Sequence, residues 1–232
     1  MATPILVMGE PGTGKTVAIR NLDPKETFVI CSDRKPLPLR KASSNYKTVT
    51  KDNGKLDLQN TNYYETTEPK MVKALLNTIS TSMPHIKYII IDTITSIMVD
   101  EYMLRLKDKG FEKFSDMAFD TYEIITMLRG LRDDLNIVVI AHTENNYDSD
   151  GVLKTSFKVP GGKLIGQNIK PEAYFHMILY TEVSMTNGEP EYCFLTKNNG
   201  KNTCRSPLGL FETTKIPNDL KYVFDEYSKY EK

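Results

Sequence analysis

Residues Gly9-Glu10-Pro11-Gly12-Thr13-Gly14-Lys15-Thr16 satisfy the pattern G-x-x-x-x-G-K-[ST] at every fixed position. The chemistry of such a run is phosphate binding. Its glycines let the loop turn tightly with N–H groups pointing inward, Lys15 reaches the β- and γ-phosphates, and the Thr16 hydroxyl offers one ligand position for Mg²⁺. With Val17, which leads into the next element, these residues form the candidate site for a nucleoside triphosphate and its Mg²⁺. A second candidate is Tyr88-Ile89-Ile90-Ile91-Asp92-Thr93, four apolar residues ending in a carboxylate. That is the pattern of a Walker B strand, in which Asp92 orients Mg²⁺ through water; an Asp there also serves as a turn former or helix cap. Asp33 lies just beyond the apolar run Phe28 to Cys31 and could orient an attacking water, or could be a loop carboxylate beside Arg34. Glu65 and Glu101 are weaker alternatives for that task. His142 follows the apolar run Ile137 to Ala141, where a polar residue can contact the γ-phosphate and relay its loss to the chain that follows.

These groups need a scaffold, and the hydrophobic pattern supplies one. Pro4 to Met8 reads as a buried strand immediately before the phosphate loop, and Val17 to Leu22 as a helix after it. Phe28 to Cys31, Tyr88 to Ile91 and Ile137 to Ala141 are three more buried strands. Between them, helical spacing runs from Met71 to Ile79, from Ser96 to Leu106 and from Met117 to Leu131, the last two separated by the charged link Lys107 to Ser115. Ser32 to Asn62, with Pro36 and Pro38, predicts loops with a short hairpin, and His142 to Gln167 a long functional or mobile loop. Asn187-Gly188 between Tyr174 to Val183 and Glu191 to Thr196 predicts an antiparallel hairpin, and Asn218 to Tyr230 a closing amphipathic helix. The alternation specifies an α/β fold, a mostly parallel twisted sheet with helices on both faces and a C-terminal antiparallel hairpin.

The 232 residues suit one domain over 1–232. Thirty basic residues balance thirty acidic ones, so contact with nucleic acid requires a local patch rather than a global field. Three stretches lack acids: Arg34 to Lys47, Gly151 to Lys170 and Lys197 to Arg205. Each could meet a phosphate backbone or simply face solvent. Cys31, Cys193 and Cys204 show no pair spacing, which suits buried thiols in a reducing compartment. Neither a secretory leader nor an apolar run of about 20 residues is present, so the expectation is a cytoplasmic protein with no membrane partner. A GTPase is disfavoured because Thr196-Lys197-Asn198-Asn199 places Asn where guanine recognition needs Asp, and Asp92-Thr93-Ile94-Thr95 lacks a switch glycine.

In motif order over roughly residues 4 to 205, the chain resembles the RecA/RadA recombinase core, and more closely the short phage-encoded RecA-like ATPases. The resemblance implies a RecA-like P-loop NTPase fold in which the strand Ile137 to Ala141 separates the two Walker strands. It implies that Asp33 stands where the family carries its catalytic carboxylate, and that Asp92-Thr93 is the Walker B pair. His142 falls where the family often has a γ-phosphate-sensing Gln. Val159-Pro160-Gly161-Gly162-Lys163 is similar to the end of the second DNA-binding loop. Lys197 and Lys201 in Lys197-Asn198-Asn199-Gly200-Lys201 are similar to the lysine pair that reaches a neighbour's ATP site. ATP and Mg²⁺ are the implied cofactors, and single-stranded DNA and a homo-oligomer the implied partners, with ATP-driven phage recombination, annealing or replication in a bacterial host as the setting. A helicase or loader ATPase and a nucleotide-gated scaffold are the alternatives.

Overall fold

The structure is a computed structural model that describes residues 2–52, 55–58, 60–110, 112–159 and 170–231. Among the described residues, eleven strands and five α-helices follow one another: β1 (Thr3–Gly9), β2 (Thr27–Cys31), α1 (Ala42–Asn45), β3 (Thr50–Asp52), β4 (Lys55–Asp57), β5 (Tyr63–Glu65), α2 (Pro69–Ser82), β6 (Tyr88–Asp92), α3 (Ile94–Leu104), α4 (Glu112–Met127), β7 (Asn136–Tyr147), β8 (Leu153–Phe157), β9 (Met177–Thr186), β10 (Glu189–Leu195), β11 (Lys215–Pro217) and α5 (Leu220–Tyr230). The main sheet runs β11-β10-β9-β1-β7-β6-β2-β5, with β8 paired to β7 and the β3–β4 hairpin separate. β1, β2, β5, β6, β7 and the first part of β9 are mutually parallel, whereas β10 and β11 return antiparallel.

β7 lies between β1 and β6, so the two Walker strands are not neighbours, as the family resemblance implied. Side chains of a strand alternate between faces, and the central strands are apolar on both. Leu6, Met8, Ile30, Ile89, Ile91 and Val139 join one core with Val72, Leu75 and Ile79 of α2, Ile97 of α3 and Ile124 of α4. Ile5, Val7, Val29, Ile90, Val138 and Ile140 join a second core with Ile19, Leu220, Val223 and Phe224. Each fully buried side chain of this size stabilises the fold by about 1.5–3 kcal/mol relative to exposure. The double cover fixes the strands in register, and the register fixes the site. α2 starts at Pro69, whose missing N–H costs nothing in the first turn.

Two expectations change, and one strand is added. The element after the phosphate loop is a single 3-10 turn, Thr16–Ile19, rather than a helix to Leu22. Asp23 and Pro24 begin the next turn at once; the Asp23 carbonyl accepts from Glu26 N–H and from the Thr27 hydroxyl. The polar stretch after Ala141 is not loop at its start. β7 continues to Tyr147 and pairs antiparallel with β8, from Thr143 opposite Phe157 to Tyr147 opposite Leu153. Polarity hid this strand because its outer end, Asn145 to Tyr147, is exposed, while only the base of the hairpin reaches the core through Phe157. Within Ser32 to Asn62 the hairpin is present as β3–β4, but the following β5 adds a parallel edge strand through Val29, Ile30 and Cys31. The Asn187-Gly188 hairpin is present, with φ of 54° and 85° at its two turn residues.

Candidate nucleotide site

The register brings the carboxyl ends of four strands to one edge. Gly9 of β1 stands opposite His142 of β7, Asp92 of β6 opposite Ile140, and Cys31 of β2 opposite Asp92, with Asp33 two residues on. Ligands of open α/β sheets bind at such an edge. A cavity of about 860 Å³ opens there, and Lys15, Thr16, Asp33, Asp92 and His142 all line it. The volume suits a nucleotide-sized ligand.

Two glycines make the loop possible. A Cβ on Gly9 would lie 1.9 Å from the Thr181 hydroxyl, so only glycine lets β9 approach the loop so closely. Gly14 has φ of 89°, and a side chain there would also meet the Tyr192 ring at 3.0 Å. The Thr13 hydroxyl donates to the Glu10 carbonyl at 2.6 Å. Lys15 is buried, and its ammonium donates to the carbonyls of Gly9 and Glu10 at 2.8 Å each. Burial holds its pKa below the ordinary lysine value, against the opposing fields of Asp92 and Asp33. A cation drawn into a poorly solvated pocket and resting on two carbonyls is poised for an anionic ligand.

The Thr16 hydroxyl donates to Asp92 Oδ2 at 2.7 Å. The other carboxylate oxygen, Oδ1, is buried and has no hydrogen-bond partner among the described residues. Burial raises the Asp92 pKa from 3.8 to about 6; Thr16 and Lys15 act in the opposite sense. A hydroxyl, an orphaned hard carboxylate oxygen and room for phosphate match Mg²⁺, which takes few protein ligands and keeps waters and substrate oxygens. No cluster of three or more His, Cys, Asp or Glu side chains that could hold a metal alone occurs among the described residues.

Asp33 is held from the far side. Its Oδ1 accepts from the Ser96 hydroxyl and from Thr93 Oγ1 at 3.3 Å, and Lys35 Nζ stands 4.0 Å from Oδ2. Thr93 also caps α3 by accepting from Ser96 N–H at 3.2 Å, so the helix start and the carboxylate share one bracket. His142 N–H donates to the Thr95 hydroxyl at 3.0 Å, while ring Nδ1 is buried without a partner among the described residues. Burial, then the nearby Lys15 charge, lowers the His142 pKa and keeps the ring neutral near pH 7. Glu65 and Glu101 do not line the cavity; Glu101 instead stands 3.7 Å from Arg105.

Lys197 and Lys201 do not line this cavity either. Lys197 Nζ donates to the Glu212 carbonyl at 3.1 Å. Lys201 borders a smaller cavity of about 280 Å³ with Gly9, Glu10 and Thr143. Of the acid-free stretches, Arg34 pairs with Asp100 at 2.7 Å and Arg205 binds the carbonyl of Phe175 at 3.0 Å, so these two side chains serve the fold. Pro160 to Lys163 lie outside the described residues. Ser96, Thr95, Tyr192 and Asn218 escaped the sequence analysis. Ser96 and Thr95 follow Asp92 at cap spacing, a usable signal, whereas nothing local marks Tyr192 or Asn218.

A family model described as AAA domain (AAA_24) matches residues 1–208. The chain belongs to this AAA domain family. The AAA domain match spans the phosphate loop, the Walker B strand, the β7–β8 hairpin and both lysines of the Lys197 run. The KaiC-like protein from the hyperthermophilic archaeon Pyrococcus horikoshii OT3 is similar in structure at 16% identity and a TM-score of 0.47, over 83% of this chain and 77% of that one. No curated protein matched the sequence. No helix among the described residues is long and apolar enough to cross a membrane.

Proposed function

We propose that this chain binds ATP with Mg²⁺ and hydrolyses it, acting as a RecA-like ATPase on single-stranded DNA. The observation that carries the reading is the convergence of Lys15, Thr16, Asp92, Asp33 and His142 on one cavity. Lys15 turns from the Gly9 and Glu10 carbonyls to the β- and γ-phosphates, exchanging two neutral acceptors for charged ones. Thr16 and the free Oδ1 of Asp92 would hold Mg²⁺, which supplies neutralisation of the phosphate charge. Asp33, fixed by Ser96 and Thr93, orients the attacking water.

The place of His142 supports coupling to DNA in this reading. Its strand continues directly into the β7–β8 hairpin, which carries the exposed Tyr147 and Leu153 beside Lys154. Aromatic faces with lysines suit stacking on unpaired bases and contact with their phosphates. The Glu10 carboxylate accepts from Thr143 at 3.2 Å and Asn145 at 3.4 Å, tying the phosphate loop to the same hairpin. The expected result is Mg²⁺-dependent ATP hydrolysis stimulated by single-stranded more than double-stranded DNA. Asp33→Asn is expected to slow it by roughly a hundred-fold while sparing ATP binding. An unchanged rate in Asp33→Asn removes Asp33 from the mechanism, and equal rates with and without DNA remove the DNA partner.

Lys197 and Lys201 complete the site of a neighbouring copy in this proposal, since neither reaches the cavity of its own chain. Hydrolysis should then rise more steeply than linearly with protein concentration. Lys197→Ala with Lys201→Ala should abolish that rise, and mixing this variant with Lys15→Ala should restore some activity, because intact lysines of one chain meet the intact loop of the other. Absence of recovery in mixtures shown to co-assemble rules out the trans role.

A further inference from the structure

The phosphate loop accounts for only one end of the cavity. The rest is walled by Pro36, Leu37 and Pro38 after β2, by Tyr192 of β10, and by Asn218 just before α5. A nucleotide anchored by its phosphates on Lys15 must lay its base along these walls. Tyr192 is 44% exposed and overhangs the loop, with its ring 3.0 Å from where a Gly14 Cβ would stand. Asn218 is 3% exposed, yet its Nδ2 finds no acceptor among the described residues. A buried amide donor without a partner is costly, so it marks a group kept for a ligand or a water. The Asn218 backbone is firmly held: its carbonyl accepts from the Arg20 guanidinium, and its N–H donates to the Tyr192 carbonyl at 3.4 Å. Oδ1 and Nδ2 both stand 3.4 Å from the position of a Gly14 Cβ, so the carboxamide lies against the phosphate loop itself.

We propose that Asn218 is a specificity-determining residue that reads the nucleobase, with Tyr192 and the Pro36 to Pro38 segment as its apolar walls, and that it selects adenine. The inference rests on the nucleotide reading above. A carboxamide offers one donor beside one acceptor. Adenine returns that pair through N7 and its exocyclic amine, whereas the matching edge of guanine, N7 with O6, presents two acceptors and cytosine offers only its amine there. The aromatic ring of Tyr192 adds stacking for any base.

Titration of the full chain with ATP, GTP, CTP and inorganic tripolyphosphate tests this. The wild-type chain should bind ATP at least ten-fold tighter than GTP or CTP. Asn218→Ala should lose roughly ten-fold or more in ATP affinity with tripolyphosphate affinity unchanged. Asn218→Asp, which presents two acceptors, should shift preference toward GTP, whose N1–H and exocyclic amine are donors. Tyr192→Ala should weaken all nucleotides and leave tripolyphosphate unaffected. Equal losses for ATP and tripolyphosphate in both Asn218 variants would show that the residue only supports the loop, overturning the proposal. Tripolyphosphate binding with no base preference in the wild type overturns it as well, while leaving the phosphate-loop reading intact. Failure of tripolyphosphate and every nucleotide to bind overturns both.

Discussion

Lys15→Ala is expected to weaken binding of nucleoside triphosphate by at least about a hundred-fold while leaving the fold intact. Two charge-assisted hydrogen bonds to phosphate, each worth about 1.5–3 kcal/mol, disappear together. Stability should change little, because the side chain removed is a buried ammonium whose desolvation already opposes its presence, which is why its pKa lies below the ordinary lysine value. The two carbonyls it leaves belong to Gly9 and Glu10, which line the smaller cavity, and can take water instead. Lys15→Arg should not restore affinity, since a planar fork cannot replace a compact ammonium seated between two carbonyls. Calorimetric titration together with thermal unfolding separates the outcomes. Retained affinity in a folded Lys15→Ala protein would remove the phosphate role from this loop.

Asp92→Asn should be more stable than the wild type without nucleotide at pH 7.5, and less active. Burial raises the folded Asp92 pKa from 3.8 to about 6, so the folded state binds the proton more tightly than the unfolded chain. The contribution of Asp92 to stability is therefore fully present below about pH 4 and is lost as pH rises through about 6. Two pH units correspond to about 3 kcal/mol, which the neutral amide recovers, or roughly 6 to 12 °C in Tm for a chain of this size. The gain should vanish as the pH falls toward 4, where wild type is itself neutral at this position. At the same time Mg²⁺-dependent hydrolysis should fall on the order of a hundred-fold, because an amide cannot neutralise the metal's shell. Unfolding at both pH values with Mg²⁺ and ATP omitted is the check on stability. An equal Tm difference at pH 4 and pH 7.5 would show that the carboxylate is not the titrating group, and undiminished Mg²⁺-dependent turnover would remove Asp92 from metal binding. The orphaned Oδ1 that costs stability at neutral pH is the same oxygen that would meet Mg²⁺ in the proposed site.

Gly9 to Thr16, the apolar strand before it and the apolar run ending in Asp92 were decided by the sequence alone. Phosphate binding needs a fixed spacing within eight residues, and a strand buried on both faces needs unbroken apolar residues, so both are written locally. The α/β alternation and the Asn187-Gly188 turn were legible for the same reason. The turn after Thr16 and the strand from His142 to Tyr147 were not, because polar residues decide neither length nor pairing until a partner is present. Tertiary structure alone decided that Asp33, Asp92 and His142 meet, since β2, β6 and β7 are adjacent only through sheet order. It also decided that Tyr192 and Asn218 close over Gly14, nearly two hundred residues away in sequence. That contact depends on β10 returning antiparallel beside β9 and on α5 joining the core of Ile5, Val7 and Ile19 through Leu220, Val223 and Phe224, a long-range burial that no local spacing encodes.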